Sequence, residues 1–254
     1  ILRRLRAGIA RWRGAAPFLE LTDVHVTHQR AIRALEGVSL TVDKGRVVAI
    51  LGANGAGKTT TLRAISGFIG LDNARVTAGR VRLEGEDIAN RAPDRITGLG
   101  VALVPERDKV FPNQTVQENL QVVGSRADAA LRRDLEARVF DYFLRLQTLR
   151  RREAGLLSGG ERQRLALGSA IVCALRLLLV DELSLCLAPA IVEEIGEQLR
   201  QIRAELDFTV VLVEQSAAVA FRLADYGYVL EHGAVALHSP TAVLAADPQV
   251  RAAY

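Results

Sequence analysis

The sequence predicts an α/β domain with a mostly parallel central sheet. One reason is an apolar run at 47–51, which leads through a glycine-rich turn into a helical pattern. A second is that the apolar runs at 177–182 and 209–214 alternate with helical segments. Strands in βαβ order lie parallel, because the helix between them returns the chain to the end of the sheet where the first strand began; such crossovers are right-handed. With 254 residues, 49% of them hydrophobic, the chain can bury a sizeable core.

The first part of the domain is predicted to combine the central strand with antiparallel edge strands. Alternation of apolar and polar residues indicates half-buried strands, and continuous apolar runs indicate buried ones. The predicted elements are strands at 18–26, 38–42 and 47–51, a helix after the turn, an edge strand at 79–85, a helix at 90–98 and a buried strand at 101–105.

From residue 106 the pattern changes to helices. Thr115 and Glu118 have the spacing of a capping box, and apolar residues recur at helical spacing over 128–150. We therefore predict a helical insertion at about 107–165. The later predicted elements are a helix up to 173, a strand at 177–182, a helix at 189–206, a strand at 209–214, a helix at 216–224 and strands at 228–231 and 234–237.

Residues 1–17 differ from the domain predicted over 18–254. They contain five arginines, and Leu2, Leu5, Ile9 and Trp12 fall at helical spacing. This basic N-terminal tail is either a basic amphipathic helix that lies on a membrane or partner, or a disordered tail.

Composition limits the classes of protein that fit. No apolar run approaches the roughly 18 residues of a membrane span, so any role at a membrane is peripheral. Cys173 and Cys186 lack metal-ligand spacing and are expected to be reduced thiols in the cytoplasm. The net charge of +4 fits nucleic-acid binding, but an arginine-rich composition explains it equally well.

The turn after 47–51 has the pattern of a phosphate-binding loop. It consists of Gly52, Ala53, Asn54, Gly55, Ala56, Gly57, Lys58, Thr59 and Thr60. Glycines let backbone N–H groups approach phosphate oxygens, and the following helix adds partial positive charge. Lys58 can reach the β- and γ-phosphates, and the Thr59 hydroxyl can ligate Mg²⁺. The alternative is a strand–helix connection that is glycine-rich by chance.

Two acids end the predicted strand at 177–182. Ligand chemistry in a parallel sheet lies beyond the carboxyl ends of its strands, so Asp181 and Glu182 are expected near the phosphate loop. Asp181 would hold the magnesium ion, and Glu182 would orient and polarise an attacking water. The alternative is a strand end capped by solvated acids.

Ser158, Gly159 and Gly160 form a second predicted anion site. Ser158 and Glu161 have capping-box spacing, and the two glycines expose N–H groups at a helix N-terminus. If the helical insertion holds this site away from the phosphate loop, it should serve a nucleotide bound to another copy.

Together, the loop, the run Leu157–Gln163 and the strand ending in Asp181 and Glu182 resemble the ATP-binding cassette (ABC) ATPases. The resemblance covers residues 18–254 and implies the P-loop NTPase fold of that family, with an antiparallel β subdomain and a helical subdomain. It implies that two cassettes enclose ATP head to tail. Ser158, Gly159 and Gly160 would then contact the partner's γ-phosphate, and Glu182 would be the catalytic base.

A finer resemblance is to the ATPase subunits of branched-chain amino-acid importers. It rests on the runs 104–107, 110–112, 115–120, 181–189, 213–215 and 223–231. It implies an ATPase on the cytoplasmic face of the inner membrane, with a second ATPase subunit and permeases as partners. A periplasmic or lipid-anchored solute-binding protein is an indirect partner, and nucleic acid is not expected.

Two positions depart from most of the family. Glu106 stands where most members have a Gln that contacts magnesium and the attacking water. Gln215 stands where most have a His that contacts the γ-phosphate, and an amide cannot carry a proton at neutral pH. Both residues look typical of the importer branch. The hypothesis is that this chain's loop builds the weaker site of a heterodimer.

Three further positions take their interpretation from the resemblance. His28 aligns best with the residue that stacks on adenine, unless it is an exposed histidine at a strand end. Cys186 stands where the importer branch usually has Gly, and its side chain either crowds the dimer interface or is tolerated because the backbone angle is ordinary. Phe111 and Pro112 either pack locally or dock a cytoplasmic helix of the membrane subunit.

Two other functions remain open from sequence. One is a soluble, non-transport ABC ATPase acting in translation or DNA repair, which only the basic composition favours. The other is a nucleotide-binding regulatory subunit with weak hydrolysis, against which Glu182 argues.

Overall fold

The computed structural model describes residues 16–247 and 250, except 30, 108, 125 and 126. The tail predicted over 1–17 thus lies outside the described residues, apart from 16 and 17. The strands are β1 (Leu19–His28), β2 (Ile32–Val42), β3 (Val47–Leu51), β4 (Ala74–Leu83), β5 (Glu86–Asp87), β6 (Val101–Val104), β7 (Leu177–Asp181), β8 (Thr209–Glu214), β9 (Tyr226–Glu231) and β10 (Ala234–Pro240).

The longest helices lie in the second half of the chain, where α7 and α8 each lie between two strands of the central sheet. They are α1 (Lys58–Ser66), α2 (Pro93–Gly98), α3 (Val116–Val122), α4 (Ala129–Tyr142), α5 (Leu144–Thr148), α6 (Gly159–Val172), α7 (Pro189–Leu206), α8 (Ala217–Leu223) and α9 (Thr241–Leu244). Short 3-10 helices lie at Phe68–Asp72 and Ala154–Leu156. Within the described residues, no helix combines the length and apolarity needed to cross a membrane.

The central sheet has the order β10-β9-β3-β8-β7-β6. All neighbours in it are parallel except β10, which pairs antiparallel with β9. Strand β3 lies inside the sheet, paired with β8 on one side and β9 on the other. The mostly parallel sheet predicted from sequence is therefore confirmed.

An antiparallel sheet of order β2-β1-β4-β5 accompanies the central one. Here the predicted strand limits are wrong: the strand at 38–42 begins at Ile32, and the strand at 79–85 begins at Ala74. The latter is also not at the edge, because β5 pairs with it. A register shift between Leu21 and Val24 breaks the alternation in β1, with Asp23 at φ +51°. The strands therefore extend beyond their alternating segments.

The helical segments also differ in detail from the sequence prediction. The helix predicted at 90–98 begins at Pro93, because Asn90 has φ +56° and cannot start it. The periodic segment 128–150 contains two helices, α4 and α5, separated at Phe143. The capping box of Thr115 and Glu118 is present and starts α3. We retain 107–165 as the predicted extent of the helical insertion.

Hydrophobic clusters cover both faces of the central sheet. Ala49 of β3 belongs to the cluster that includes α3–α8, whereas the next residue, Ile50, belongs to the cluster shared with α1 and the antiparallel sheet. Strand β3 is therefore buried along its whole length. This burial fixes the position at which the phosphate loop begins.

Candidate functional site

The loop between β3 and α1 presents a helix N-terminus. Gly57, at the cap position, has φ +102°, and no side chain caps the helix. The first N–H groups of a helix lack intrahelical acceptors, and its dipole favours anions there. A Cβ on Gly57 would lie 2.6 Å from Leu35 Cδ2, and a Cβ on Gly52 would lie 2.6 Å from the Leu230 carbonyl oxygen. The loop is therefore packed too closely for side chains at these two positions.

Lys58 folds back over the loop. Its Nζ donates to the carbonyl oxygens of Gly52, at 2.7 Å, and Ala53, at 3.1 Å. Burial lowers the pKa of Lys58, and nearby carboxylates oppose that shift. Those carboxylates, in order of decreasing effect, belong to Glu182, Asp181, Glu214 and Glu106. The ammonium group is thus held at the loop, within the field of acids that follow neighbouring strands.

Thr59 and Asp181, two of the predicted magnesium ligands, lie together. The Thr59 hydroxyl donates to Asp181 Oδ1 over 3.3 Å. Burial raises the pKa of Asp181, and the bond from Thr59 opposes this. A hydroxyl beside a buried carboxylate suits Mg²⁺, which prefers oxygen ligands and usually keeps water and phosphate oxygens in its shell.

The third predicted ligand, Glu106, lies in the loop after β6. It forms an ion pair with Arg107, with 3.1 Å between Oε1 and Nε. Its charge raises the pKa of Asp181, which places it within electrostatic reach of the site. Among the described residues, no cluster of three or more His, Cys, Asp or Glu side chains is arranged to hold a metal ion. Any Mg²⁺ would therefore need oxygen atoms of bound phosphate or water.

Gln215 joins the phosphate loop to the predicted catalytic base. Its Nε2 donates to Glu182 Oε1 at 2.6 Å and to Asn54 Oδ1 at 2.8 Å. Glu182 is buried and has φ +55°, and its N–H donates to the Val213 carbonyl oxygen at 3.0 Å. The residues after β3, β7 and β8 are therefore connected by hydrogen bonds, as their shared sheet edge predicts.

Ser184 and Glu214 form a contact that the sequence reasoning missed. The Ser184 N–H donates to Glu214 Oε1 at 3.1 Å, and its hydroxyl donates to Oε2 at 2.7 Å. Burial raises the pKa of Glu214 to about 6, although both bonds from Ser184 oppose this. The available signal was an acid at the end of an otherwise apolar strand.

The start of α6 has the predicted capping box. Ser158 Oγ accepts from the Glu161 N–H, and the Glu161 side chain accepts from the Ser158 N–H. A Cβ on Gly160 would lie 2.8 Å from Ile191 Cγ2. Within the described residues, no hydrogen bond or ion pair joins 158–160 to the phosphate loop. The two predicted anion sites are thus separate features of one chain.

The remaining predicted positions lie at the surface or near it. His28 ends β1, and Phe111 is 53% exposed. The backbone of Phe111 is bonded in both directions to the buried Asn119 side chain. Cys186 is exposed and has φ +59°, which is the region that favours glycine. A residue with a side chain is therefore strained at this position, and the ordinary backbone angle that would tolerate one is not found.

Comparison with known proteins places these features in context. A family model described as ABC transporter matches residues 35–184. The Pseudomonas aeruginosa high-affinity branched-chain amino acid transport ATP-binding protein BraG is 41% identical, over 90% of this chain and 95% of BraG. The Archaeoglobus fulgidus probable branched-chain amino acid transport ATP-binding protein LivF is 36% identical, over 82% and 86%.

The solved structures that match show the same fold. A nucleotide-free ATP-binding cassette from an ABC transporter has a TM-score of 0.81 at 24% identity, covering 93% of this chain and 98% of its own. A dimeric bacterial ABC transporter cassette has a TM-score of 0.75 at 24% identity, covering 88% and 98%.

Proposed function

The chain belongs to the ABC transporter family of ATP-binding proteins, and from this premise we propose that it hydrolyses ATP to energise import of branched-chain or related amino acids, or amides. The observation that carries the proposal is the bonded set of Asn54, Gln215 and Glu182 beside Lys58. It joins a phosphate loop to a carboxylate that can act as a base. The sequence identity of this chain with BraG and LivF supports branched-chain amino acids as the transported solute.

Different residues of the site have different roles in ATP hydrolysis. The N–H groups of the loop and Lys58 bind the β- and γ-phosphates of ATP. Glu182 accepts a proton from the attacking water, while Gln215 orients the Glu182 carboxylate. Thr59 and Asp181, with Glu106 beside them, would hold Mg²⁺, which would supply positive charge to the phosphates when bound. His28 stacks on adenine, and a rise in KM for ATP in His28→Ala would support that role.

Phosphate release by the purified full chain, alone and with its partner subunits, tests the proposal. Glu182→Gln should bind ATP and lose hydrolysis, because an amide cannot accept the proton. Lys58→Ala should lose ATP binding itself. Glu197→Gln, on the exposed face of α7, is the matched control and should keep full activity. ATP binding without phosphate release by the wild type, even with its partners, would instead support the regulatory module.

A second cassette is the proposed partner at the nucleotide. Ser158, Gly159 and Gly160 would contact the γ-phosphate bound to that partner, which fits their separation from this chain's loop. With the partner ATPase present, ATP should drive the Glu182→Gln chain into a dimer with it, and Ser158→Arg should prevent this. Two Pseudomonas aeruginosa proteins with the same description, BraG and BraF, match this chain at 41% and 28% identity. This supports a heterodimer, and a dimer that forms without a second protein would contradict it.

The site on this chain's loop is proposed to be the weaker one of the pair. The motivating observation is Gln215, whose amide lacks the charge that a His could carry. Gln215→His should raise ATP turnover both alone and with the partner ATPase. An unchanged rate in both preparations would refute this idea.

The chain is proposed to lie on the cytoplasmic face of the inner membrane, bound to permeases that work with a solute-binding protein. Phe111 and Pro112 form a small apolar surface for this docking. The Asn119 side chain holds the Phe111 backbone in place through two hydrogen bonds. Phe111→Ser should abolish co-purification with the permeases, whereas the exposed Leu144→Ser on α5 should not. Failure of the wild type to co-purify with permeases would favour the soluble ABC ATPase.

A further inference from the structure

The segment 183–188, here called the linking loop, follows Glu182 directly. Both hydrogen-bond donors of Ser184, its backbone N–H and its hydroxyl, are directed at Glu214, which is 1% exposed. Glu214 precedes Gln215, the residue bonded to Glu182 and Asn54. The linking loop is therefore anchored to the same strand end that carries Gln215.

The other end of the linking loop lies against the start of α6. The Leu187 N–H donates to the Ser184 carbonyl oxygen at 3.1 Å, which closes a turn. Leu187 Cδ2 lies 3.3 Å from the position of a Cβ on Gly159, and the Cys186 carbonyl oxygen lies 3.9 Å from it. A series of neighbouring groups thus runs from Glu214 through Ser184 to Leu187, which lies beside Gly159.

The linking loop needs an external anchor to keep this shape. Cys186 has φ +59°, a conformation that residues other than glycine seldom adopt without surrounding support. An ionised carboxylate provides such support, because it only accepts hydrogen bonds and can accept both donors of Ser184. With a pKa of about 6, Glu214 is mostly ionised at neutral pH.

We propose that Glu214 is a positioning residue, which sets the linking loop through Ser184 and thereby places the start of α6. The inference rests on the proposed function, because the start of α6 serves the partner's nucleotide in that scheme. Glu214 then couples Gln215, at this chain's own site, to the run 158–160, at the other site. Movement of one site would reach the other through the hydrogen bonds of Ser184 and the packing of Leu187 beside Gly159.

Hydrogen–deuterium exchange on the full chain without nucleotide tests the coupling independently of activity. In Glu214→Gln, one acceptor is replaced by an amide donor, so exchange over 183–188 should rise about tenfold. Exchange over 158–162 should rise as well, while β6 stays protected. Thr209→Ala is the matched control, because it removes a bond to Gly45 at the opposite end of β8. It should leave both segments unchanged.

Turnover by the wild type and its variants tests the consequence for hydrolysis. We expect kcat to fall about tenfold in Glu214→Gln and about threefold in Ser184→Ala, with KM for ATP unchanged, because the phosphate loop is intact. Ser184→Thr keeps the hydroxyl and should restore kcat. In the double variant, Ser184→Ala should add little, because both changes act through the same bonds.

The outcomes separate the two proposals. Faster exchange over 183–188 with no change over 158–162 overturns the coupling, as does additivity of the two substitutions in kcat. Unchanged exchange in both segments overturns the positioning role altogether. A wild type that never releases phosphate contradicts the proposed function, and the exchange result then stands on its own.

Discussion

Replacing Glu214 by Gln should change how the stability of the protein depends on pH. Glu214 is buried, and its pKa rises from an ordinary value of 4.5 to about 6. Because the pKa is raised in the folded state, ionisation is disfavoured there. The cost of ionisation is absent below pH 4.5, grows between pH 4.5 and 6, and is complete above pH 6.

The size of the effect follows from that interval. Each pH unit between the unfolded and folded pKa corresponds to about 1.4 kcal/mol, so the full effect is about 2 kcal/mol. The wild-type free energy of unfolding, minus that of Glu214→Gln, should therefore be about 2 kcal/mol larger at pH 4 than at pH 7.5. Asp181 also has a raised pKa, but it is present in both proteins and largely cancels in the difference.

Urea unfolding at several pH values, followed by far-UV circular dichroism, measures this difference. Glu197→Gln, at an exposed position on α7, controls for loss of a carboxylate at the surface and should show no such change near pH 6. A difference that stays flat between pH 4 and 7.5, or that is larger at pH 7.5, would refute the reasoning about burial of Glu214.

Three further substitutions should destabilise the fold, each measured as a free energy of unfolding in urea. Gly57→Ala should cost about 2 kcal/mol, because φ is +102° and its Cβ would strike Leu35. Asn119→Ala should cost about 3 kcal/mol, because its buried amide bonds Phe111, Gln114 and Thr115; Gln117→Ala nearby should cost under about 1 kcal/mol. Tyr228→Phe should cost about 1 kcal/mol, because the hydroxyl bonds the Thr41 backbone in both directions. A cost below about 0.5 kcal/mol would contradict each argument.

Sequence reasoning worked best where local signals decide the structure. The helix predicted at 189–206 agrees with the structure at both ends. Pro189 is favoured in a first helical turn, and Asp207 ends the helix with φ +50°. The start of β4 was missed, because the pairing of Ala74 with His28 depends on a distant chain segment.

The candidate site shows the same division. The spacing of the glycines and the acids at the strand ends predicted which residues surround Lys58. In the structure, Thr59 is hydrogen-bonded to Asp181 and Gln215 to Glu182. The bond between Ser184 and Glu214 could not be predicted, because it spans 30 positions and neither residue belongs to a phosphate motif. The acceptor to which a hydroxyl donates depends on how the two segments pack in the folded protein, and no residue pattern in the sequence predicts this.

The place of β3 inside the central sheet has a consequence for the newly made chain. Val47 and Val48 pair with Val210 and Tyr226, which are synthesised more than 160 positions later. Contacts this distant in sequence form slowly, since a long loop must close first. During translation the phosphate loop therefore remains without its two flanking strands until most of the protein has been made. A ribosome stalled before β8 should carry a nascent chain that cannot yet retain nucleotide.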